Sequence, residues 1–480
     1  MATMAKSEYQ MPIGGEWGES EGGRFEVTNP ATGAVVGTAV NATADDVKRA
    51  IDAAEEALGP WKALAAIERA RILRKASDQI LAEADLIARV MTDEQGKPLA
   101  EARGEVVYAA SFLEWFAGEA ERVYGMTLPP MNPQKRVLVL RQPVGVTAAI
   151  TPWNFPAAMM TRKLGPALAA GCTMIVKPAE QTPLSALAMA ELATRAGVPA
   201  GVLNVLTGPA RPIGAALTGD ARVRKLSFTG STEVGRLLAA QCAPTIKRLS
   251  LELGGNAAFI VFDDADLDAA VEGAIISKYR NTGQTCVCAN RLLVQEGIYE
   301  AFATRLAARV AALKVGDGLQ AGVEQGPLID AAALAKVEEL MADARAQGAR
   351  VLTGGARHAL GGTFYQPTVL TEAQPAMRLA HEEIFGPVAP LYRFRDEADA
   401  VRLANATEYG LASYFYSRDV GRVWRVARAL ECGIVGINTG LISTVVAPFG
   451  GVKQSGLGRE GSYLGIDEYL DVKYLCMGGL

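Results

Sequence analysis

The chain has 480 residues, of which 50% are hydrophobic and 21% are charged. This balance is typical of a folded globular protein, and the length is enough for two or three domains. The formal net charge of -4 leaves no excess of cations to neutralise phosphates, which argues against a nucleic-acid partner.

Long apolar runs and metal-binding residue types are scarce. No apolar run approaches the roughly 18 to 20 residues of a membrane span, and residues 1–20 lack a secretory or transit pattern, so we expect a cytoplasmic protein. The 6 cysteines do not form a disulfide framework, which fits a reducing compartment. The 2 histidines, His358 and His381, have no Cys or His at ligand spacing, which argues against a zinc site. Because the chain has so few histidines, any catalytic base is expected to be a carboxylate.

The first elements along the chain are predicted helices. Thr43 is a candidate N-cap with acidic residues behind it, and Gly59 and Pro60 are expected to end that helix. Two longer helical patterns follow, at about 64–94 and 98–122. We expect them to be packing layers, because no chemistry is visible in them.

Strands alternate with helices from residue 144 onward, which implies right-handed crossovers and a parallel sheet. A second series of this kind runs from 258 to about 429. An apolar strand at 136–141, after a stretch rich in Pro and Gly at 125–133, stands outside the alternation. The strands predicted in the first series are Val144–Ile150, Thr173–Lys177, Val202–Thr207, Lys225–Thr229 and Arg248–Glu252.

These patterns predict an α/β fold with two open, doubly wound domains and a small β arm. We place the boundary between the two domains just after Glu252. A candidate base at that position would face the second domain across a cleft.

The segment 280–290, Arg-Asn-Thr-Gly-Gln-Thr-Cys-Val-Cys-Ala-Asn, lies between a helical run (269–279) and a strand-like run (291–294). A loop between such elements is where a rigid scaffold presents a reactive group, so Cys286 is a candidate nucleophile. A free cysteine is more often a small buried hydrophobe. However, the neighbouring Asn, Gly and Gln are poor core material, and their amides suit a thiolate and a developing oxyanion.

Six motifs follow one another along the chain. They are Pro-Trp-Asn-Phe-Pro at 152–156, Lys-Pro-Ala-Glu at 177–180, Phe-Thr-Gly-Ser at 228–231, Leu-Glu-Leu-Gly-Gly-Asn at 251–256, Asn-x-Gly-Gln-x-Cys at 281–286 and Glu-Glu-Ile-Phe-Gly-Pro at 382–387. Their identity and order resemble the aldehyde dehydrogenase superfamily over nearly the whole chain. The segments 286–290, 447–453 and 456–461 resemble, more narrowly, its succinate-semialdehyde dehydrogenase branch.

The resemblance implies covalent catalysis by three residues. Cys286 would attack an aldehyde carbonyl, Asn154 would donate to the oxyanion, and Glu252 would activate the water that hydrolyses the thioester. Taken alone, Glu252 is a solvated strand end and Asn154 a turn former. Because the acylating branch generally lacks this base, Glu252 favours hydrolysis over transfer to coenzyme A. The alternative from another class is a structural, crystallin-like protein without turnover.

A nicotinamide cofactor is also implied. The turn at 230–235 begins a helix, where N–H groups favour a pyrophosphate, although it lacks the G-x-G-x-x-G fingerprint and could be a routine tight turn. By resemblance, Lys177 and Glu180 would hold the adenosine ribose. Glu180 would repel the 2′-phosphate of NADP, so we expect NAD as the cofactor. The expected cofactor-binding residues are Trp153, Lys177, Pro178, Ala179, Glu180, Gly230, Ser231, Leu253, Glu383 and Phe385.

The resemblance assigns the distal carboxylate of a small substrate to Arg162, Arg280 and Ser443. Each could instead be a surface or capping residue, and this alternative is strongest for Ser443 because an apolar stretch, 444–446, follows it. The function implied is NAD-dependent oxidation of succinate semialdehyde to succinate. Glutarate semialdehyde is the alternative substrate, since one methylene is worth only about 1 to 3 kcal/mol, and a broader aldehyde dehydrogenase stays open.

The same resemblance divides the chain into domains. Residues 1–124 and 142–252 would form the NAD-binding domain and 253–445 the catalytic domain, with oligomerisation segments at 125–141 and 462–480. A strand-like piece in the tail, at 469–476, could pair with the arm of a partner subunit. We therefore expect a homodimer or homotetramer, although the arm could be an ordinary edge strand.

Cys288 lies two residues after the candidate nucleophile. A low-pKa, accessible Cys286 thiolate would oxidise first, and Cys288 could capture the sulfenic acid as a disulfide. In an extended segment the two Cα atoms would be near 7 Å apart, at the limit for bridging, so the loop would have to kink. Cys288 could equally be a buried filler behind the loop.

Overall fold

The structure, a computed structural model, describes residues 7–479. In that range no helix is long and apolar enough to cross a membrane. The helices are α1 (Ala44–Ala63), α2 (Ala66–Ala82), α3 (Ala84–Gln95), α4 (Leu99–Ala120), α5 (Pro156–Ala170), α6 (Pro183–Ala196), α7 (Ala210–Gly219), α8 (Thr232–Cys242), α9 (Leu267–Tyr279), α10 (Tyr299–Ala311), α11 (Ala331–Ala346), α12 (Glu397–Asn405) and α13 (Val420–Ala429).

The strands form two large sheets and three small ones. They are β1 (Glu8–Tyr9), β2 (Met11–Ile13), β3 (Glu16–Gly18), β4 (Arg24–Thr28), β5 (Val35–Val40), β6 (Met126–Leu128), β7 (Lys135–Pro143), β8 (Val146–Ile150), β9 (Thr173–Lys177), β10 (Leu203–Val205), β11 (Val223–Thr229), β12 (Arg248–Glu252), β13 (Ala257–Val261), β14 (Ala289–Gln295), β15 (Arg350–Thr353), β16 (Thr368–Thr371), β17 (Val388–Phe394), β18 (Ala412–Tyr416), β19 (Ile434–Ile437), β20 (Gly456–Leu457) and β21 (Leu470–Gly478).

The two large sheets are mostly parallel. The first has the strand order β10-β9-β8-β11-β12-β20, and its neighbours are parallel except for β12 with β20. The second has the order β15-β16-β17-β14-β13-β18-β19, and only β15 with β16 is antiparallel. In both sheets the strand order reverses partway along the chain, which is the pattern of a doubly wound fold.

Both faces of each large sheet are buried. In β8, Ala149 packs into one hydrophobic cluster, whereas Val146, Ala148 and Ile150 pack into the cluster on the opposite face. The strand β13 divides its side chains in the same alternating way between two further clusters. Strands covered by helices on both faces become continuous apolar runs, as the sequence predicted. The predicted α/β doubly wound fold is confirmed; the domain boundaries stay a prediction.

The arm is a three-stranded antiparallel sheet in the order β21-β7-β6. The tail strand β21 pairs with β7 of its own chain, from Leu470 opposite Pro143 to Gly478 opposite Lys135. This pairing gives the nine residues of β21 backbone hydrogen-bond partners within the same chain. Because β21 is an edge strand of this sheet, pairing of the tail with a partner's arm stays a prediction.

The N-terminal helices differ from prediction in two places. Thr43 caps α1 through a capping box with Asp46, as expected, but α1 continues through Pro60 to Ala63. The burial of Trp61 in the core offsets the hydrogen bond that Pro60 cannot donate. The predicted helix at 64–94 is two helices, which break at Glu83 without a Gly or Pro to signal the break.

The order of the elements brings two sheet edges together. The chain leaves the carboxyl end of β12 at Glu252 and enters the amino end of β13 at Ala257 after only four residues. The amino edge of the second sheet also carries the loop that precedes β14, which contains Cys286. Glu252 and Cys286 therefore face the same space between the sheets.

Candidate active site

The loop before Cys286 has a strained backbone. Asn281, Thr282 and Gly283 are consecutive residues with positive φ, of 51°, 60° and 75°. A β-branched residue such as Thr282 adopts this conformation only when its surroundings hold it there. Its hydroxyl donates to Gly326 O at 3.1 Å, and a Cβ at Gly283 would lie 2.3 Å from a backbone oxygen, so that position requires glycine.

Two cavities meet at Cys286. The first, of about 290 Å³, lies against the first sheet, and the second, of about 360 Å³, lies against α4 and α5. Phe155, Met159 and Cys286 line both cavities, so the thiol stands between two binding spaces.

Most of the predicted site residues line one of the two cavities. In the first are Trp153, Asn154, Gly230, Ser231, Glu252, Leu253, Glu383 and Phe385. The predicted carboxylate-binding residues Arg162, Arg280 and Ser443 all line the second. Outside both lie Lys177, Pro178, Ala179, Glu180 and Cys288.

The Cys286 thiol is held in its neutral form. Burial raises its pKa to about 12, and the carboxylates of Glu383 and Glu252 add to this, while Arg162 and Arg280 offset part of it. The expectation of a low-pKa thiolate is therefore wrong for the protein alone. The segment 280–290 gave no sign of the two carboxylates, which come from β12 and from the segment before β17.

Asn154 stands beside the thiol as a hydrogen-bond donor. Its side-chain nitrogen donates to Gln284 O at 3.0 Å, which leaves the second amide hydrogen free. Within residues 7–479 the Cys286 N–H donates to no acceptor. Both donors line the site of a developing oxyanion, which is the arrangement that stabilises a tetrahedral intermediate.

A buried ion pair fixes the backbone of Asn154. Lys97 Nζ donates to Asn154 O at 2.7 Å and to Glu105 Oε2 at 2.5 Å. The other Glu105 oxygen accepts from Ala157 N and Ala158 N, which are the first free N–H groups of α5. The helix predicted at 98–122 was expected only to pack, and this expectation is wrong at Glu105, which helps to position the backbone of Asn154 and the start of α5. Residues so far apart along the chain gave no local signal.

Glu252 is a buried carboxylate with a strongly perturbed pKa. Burial raises this pKa well above its usual value, the nearby Glu460 raises it further, and Lys163 and Arg162 oppose the rise. Its Oε2 has no hydrogen-bond partner among the described residues. A carboxylate whose pKa is raised is a stronger base once it is ionised, which suits it to taking a proton from water.

Glu460 was missed as a site residue. It pairs closely with Lys163 Nζ, which also donates to Thr229 Oγ1 at 2.7 Å, and it lies 3.6 Å from Arg162 Nε. The motif at 456–461 contains Glu460, so the only acidic residue of that motif was the available signal.

The first cavity has the shape and chemistry for a nicotinamide and its ribose. The rings of Trp153 and Phe385 stand edge to face with centroids 5.6 Å apart. Glu383 Oε1 accepts from Gly255 N at 3.2 Å, which leaves Oε2 as an acceptor for a ribose hydroxyl, and burial raises the pKa of this carboxyl to about 7. Gly254 provides a wall without a side chain, because a Cβ there would lie 3.0 Å from that carboxyl. These residues fit the cofactor.

Lys177 and Glu180 lie together at the carboxyl end of β9. Their side chains form an ion pair at 3.0 Å, and Glu180 Oε1 accepts from Ala210 N at 2.6 Å, at the start of α7. Glu180 is thus held beside a helix N-terminus, with one oxygen shared with Lys177. The pair could offer a donor and an acceptor to adjacent hydroxyl groups.

The second cavity is cationic at the end predicted to bind the carboxylate. Arg162 is 1% exposed, stacks 4.1 Å from the Phe449 ring centroid, and has Glu460 nearby. In contrast, the Arg280 side chain makes no hydrogen bond or ion pair with any residue in 7–479, and its guanidinium lies 5.4 Å from the Phe155 ring centroid. An unpaired guanidinium facing a half-buried cavity is a receptor for an anion.

Cys288 faces away from the cavities. Its thiol is 8% exposed and donates to Lys278 O at 3.4 Å, and burial raises its pKa. A disulfide with Cys286 would break this contact and require the loop to rearrange. The pairing stays a prediction.

Known proteins resemble nearly the whole chain. The family model described as "Aldehyde dehydrogenase family" matches residues 17–475. The chain is 62% identical to a glutarate-semialdehyde dehydrogenase of Pseudomonas aeruginosa, with 98% of each chain covered. It is 62% identical to an NADP(+) succinate-semialdehyde dehydrogenase of Escherichia coli, again with 98% of each covered. The crystal structure of a succinate-semialdehyde dehydrogenase from Burkholderia pseudomallei superposes with a TM-score of 0.98, 62% identity, and 100% of this chain and 99% of the other covered.

The raised thiol pKa can be tested by alkylation. The rate at which iodoacetamide modifies Cys286 should rise up to pH 10 without a plateau, because the pKa is about 12. Glu383→Gln should raise this rate several-fold at pH 8, since removing the neighbouring carboxylate lowers the thiol pKa. The rate is followed by mass spectrometry of the peptide that carries Cys286.

Glu382→Gln is the matched control, because the adjacent Glu382 pairs with Arg378 and has a 40% exposed side chain. It should leave the alkylation rate unchanged. A plateau below pH 9 in the parent protein would contradict the assignment of a raised pKa.

Proposed function

This chain belongs to the aldehyde dehydrogenase family, and on that premise we propose that it oxidises succinate semialdehyde to succinate with a nicotinamide cofactor. The observation that supports this substrate is the cavity that ends at Cys286 and holds the unpaired guanidinium of Arg280. Arg162 and Ser443 line the same cavity, so a carboxylate at one end would leave the aldehyde at the thiol.

Glutarate semialdehyde is the second candidate substrate. The relatives from Pseudomonas aeruginosa and Escherichia coli, named for the two substrates, are equally similar to this chain at 62% identity. One methylene in an apolar cavity changes the binding free energy by only about 1 to 3 kcal/mol. The ratio of kcat/KM for the two semialdehydes decides between them.

The first chemical step is addition of the thiol to the aldehyde. The Cys286 proton must leave before attack, and because the thiol lines an open cavity this proton can pass to water, so Glu252 is not required for this step. Sulfur then bonds to the carbonyl carbon, and the oxygen takes the electron pair of the C=O bond. The free amide hydrogen of Asn154 and the Cys286 N–H hold this oxyanion, and one such donor is worth roughly 3 to 4 kcal/mol of the barrier.

The second step releases the acid. When bound, the nicotinamide cofactor supplies the hydride acceptor that converts the thiohemiacetal to a thioester. Glu252 then removes a proton from water, which attacks the thioester carbon and breaks the carbon–sulfur bond. The products are the carboxylic acid and the regenerated thiol of Cys286.

The proposed cofactor is NAD. Lys177 and Glu180 would hold the adenosine ribose, and Glu383, Phe385 and Trp153 the nicotinamide half, with the N-terminus of α8 at Gly230 and Ser231 for the pyrophosphate. The ion pair and the Ala210 hydrogen bond support this, because they hold the Glu180 carboxylate in place, and a carboxylate that contacts the ribose would repel a 2′-phosphate. The relative from Escherichia coli is named for NADP(+), so the preference is a property of this chain that needs measurement.

We further propose that the protein is a homodimer or homotetramer that associates through its arm. The β6-β7-β21 sheet carries apolar side chains that are exposed in the single chain. They are Met126, Leu128, Leu140, Val472, Tyr474 and Met477. A patch of this kind on a soluble chain is typical of a protein interface.

The cysteines support a reducing, cytoplasmic location for this reaction. All 6 are free thiols, and Cys476 is exposed on β21. A free exposed thiol is stable only where disulfides are kept reduced. A Cys286–Cys288 disulfide would then form only under oxidative stress, with peroxide as the oxidant.

Removal of the unpaired guanidinium tests the substrate class. Arg280→Ala should lower kcat/KM for succinate semialdehyde by about 30-fold or more, because a charged partner in a dry site is worth about 2 to 5 kcal/mol. It should change kcat/KM for butanal by less than threefold. The exposed Arg103, paired with Asp85, provides the control variant Arg103→Ala. Equal losses on the two aldehydes would refute carboxylate binding by Arg280.

The pH profile tests the base. Glu252 must be ionised to act, and its raised folded-state pKa means that the hydrolysis rate falls as pH drops through that pKa. Glu460→Gln should move this acidic limb to lower pH, because it removes a negative charge beside Glu252 and leaves Lys163 and Arg162 to favour ionisation. The rate of thioester hydrolysis in a single turnover, after the first burst of NADH, is measured as a function of pH to locate this fall. The exposed Glu431→Gln is the control, and an unshifted limb in Glu460→Gln contradicts the coupling.

The cofactor proposal is tested at Glu180. The parent protein should prefer NAD over NADP by about tenfold or more in kcat/KM. Glu180→Gln should reduce or reverse that preference, because it removes the repulsion and frees Lys177 to pair with the 2′-phosphate. A preference for NADP in the parent protein would show that Glu180 does not contact the ribose.

A further inference from the structure

One face of α4 lines the second cavity. Glu101, Gly104, Glu105 and Tyr108 are spaced at i, i+3, i+4 and i+7, and all four border the cavity that holds Arg162 and Arg280. Glu101 and Glu105 are engaged elsewhere, since Glu101 accepts from Asn281 N at 2.8 Å and Glu105 caps α5. Tyr108 is the remaining polar side chain of this face.

The Tyr108 hydroxyl accepts one hydrogen bond and still has its own hydrogen to donate. Its oxygen accepts from Arg162 Nη2 at 2.8 Å. Because a guanidinium only donates, the phenol must be the acceptor in this bond, and its own hydrogen is available to another acceptor. Within residues 7–479 that hydrogen is donated to no group.

The ring of Tyr108 is held by packing against the ring of Phe112. Its centroid lies 4.8 Å from that of Phe112, at an interplanar angle of 60°, and Phe112 is fully buried. Tilted aromatic pairs of this kind hold a preferred geometry. The hydroxyl is therefore presented to the cavity in a defined position.

Tyr108 and Glu460 contact different nitrogens of the Arg162 guanidinium. On one side of the guanidinium, Nε lies 3.6 Å from Glu460 Oε2, and on the other Nη2 donates to Tyr108. Without the phenol, Glu460, which lies near Glu252, would be the remaining polar partner of the Arg162 guanidinium. Arg162 could then offer less of its charge to a substrate carboxylate.

We propose that Tyr108 is a specificity-determining residue that donates its hydroxyl hydrogen to the distal carboxylate of the substrate while its oxygen orients Arg162. The carboxylate would be bound by Arg280, Arg162, Ser443 and Tyr108 together. This inference rests on the proposed carboxylated substrate. An aldehyde without a distal carboxylate makes no use of the hydroxyl.

Tyr108→Phe tests this role, because it keeps the ring against Phe112 and removes only the hydroxyl. KM for succinate semialdehyde should rise about ten- to a hundredfold, the range for a lost hydrogen bond to a charged group, while kcat changes less than about twofold. The inhibition constant of succinate, as a competitor, should rise by the same factor. Kinetics with butanal should stay within twofold of the parent protein.

The matched control is Tyr124→Phe, since Tyr124 follows the same helix and is 71% exposed. It should leave all of these constants unchanged. Thermal denaturation should give the same midpoint for both variants, which separates a binding defect from a folding defect. A structural role for Tyr108 would affect butanal and succinate semialdehyde alike.

The outcomes separate this inference from the proposed function. If Tyr108→Phe changes neither substrate, or changes both equally, while Arg280→Ala remains selective for succinate semialdehyde, the role of Tyr108 is refuted and the substrate class stands. If Arg280→Ala is itself unselective, the carboxylated substrate is refuted. A selective rise in KM in Tyr108→Phe, shared by the succinate inhibition constant, supports the inference.

Discussion

The contact between Gly255 and Cys286 is the constraint on which the rest of the site depends. A Cβ at Gly255 would lie 2.4 Å from Cys286 O, so the connection between β12 and β13 can pass directly against the cysteine loop only because this residue has no side chain. The Gly255 N–H also donates to Glu383. One residue thus brings the carboxyl end of β12, the cysteine loop and the cofactor-side carboxylate to a common point. Any wider connection would separate Glu252 from Cys286.

Burial has opposite uses on the two sides of Cys286. In the first cavity burial raises the pKa values of Cys286, Glu252 and Glu383, which favours the neutral form of each group. In the second cavity, the Arg280 guanidinium lies over the Phe155 ring and makes no hydrogen bond or ion pair with the described residues. Buried carboxyl groups suit proton transfer, and a half-buried guanidinium without an ion pair suits recognition of an anion. The thiol stands where these two environments meet, which explains how one loop can serve both binding and reaction.

The sequence predicted much of the fold because the buried strands are short, apolar and bounded by turns. The strands β9 and β12 begin and end at the predicted residues, and Cys286, Glu252 and Asn154, which were chosen by motif, line one cavity. The positive φ of Thr282 could not be predicted, since a β-branched residue argues against it. Tyr108 and Lys97 were missed for another reason. Their partners are more than fifty residues away, at Arg162 and at the backbone of Asn154, and such contacts leave no periodic signal.

In the proposed mechanism, Cys286 carries the acyl group and Glu252 is needed mainly to release it. Glu252→Gln, mixed with NAD and succinate semialdehyde and quenched in acid, should retain a succinyl adduct on the peptide that contains Cys286, measured by intact and peptide mass. The same adduct should be short-lived in the parent protein. Persistent absence of any acyl adduct in Glu252→Gln, despite production of one equivalent of NADH per chain, would contradict the claim.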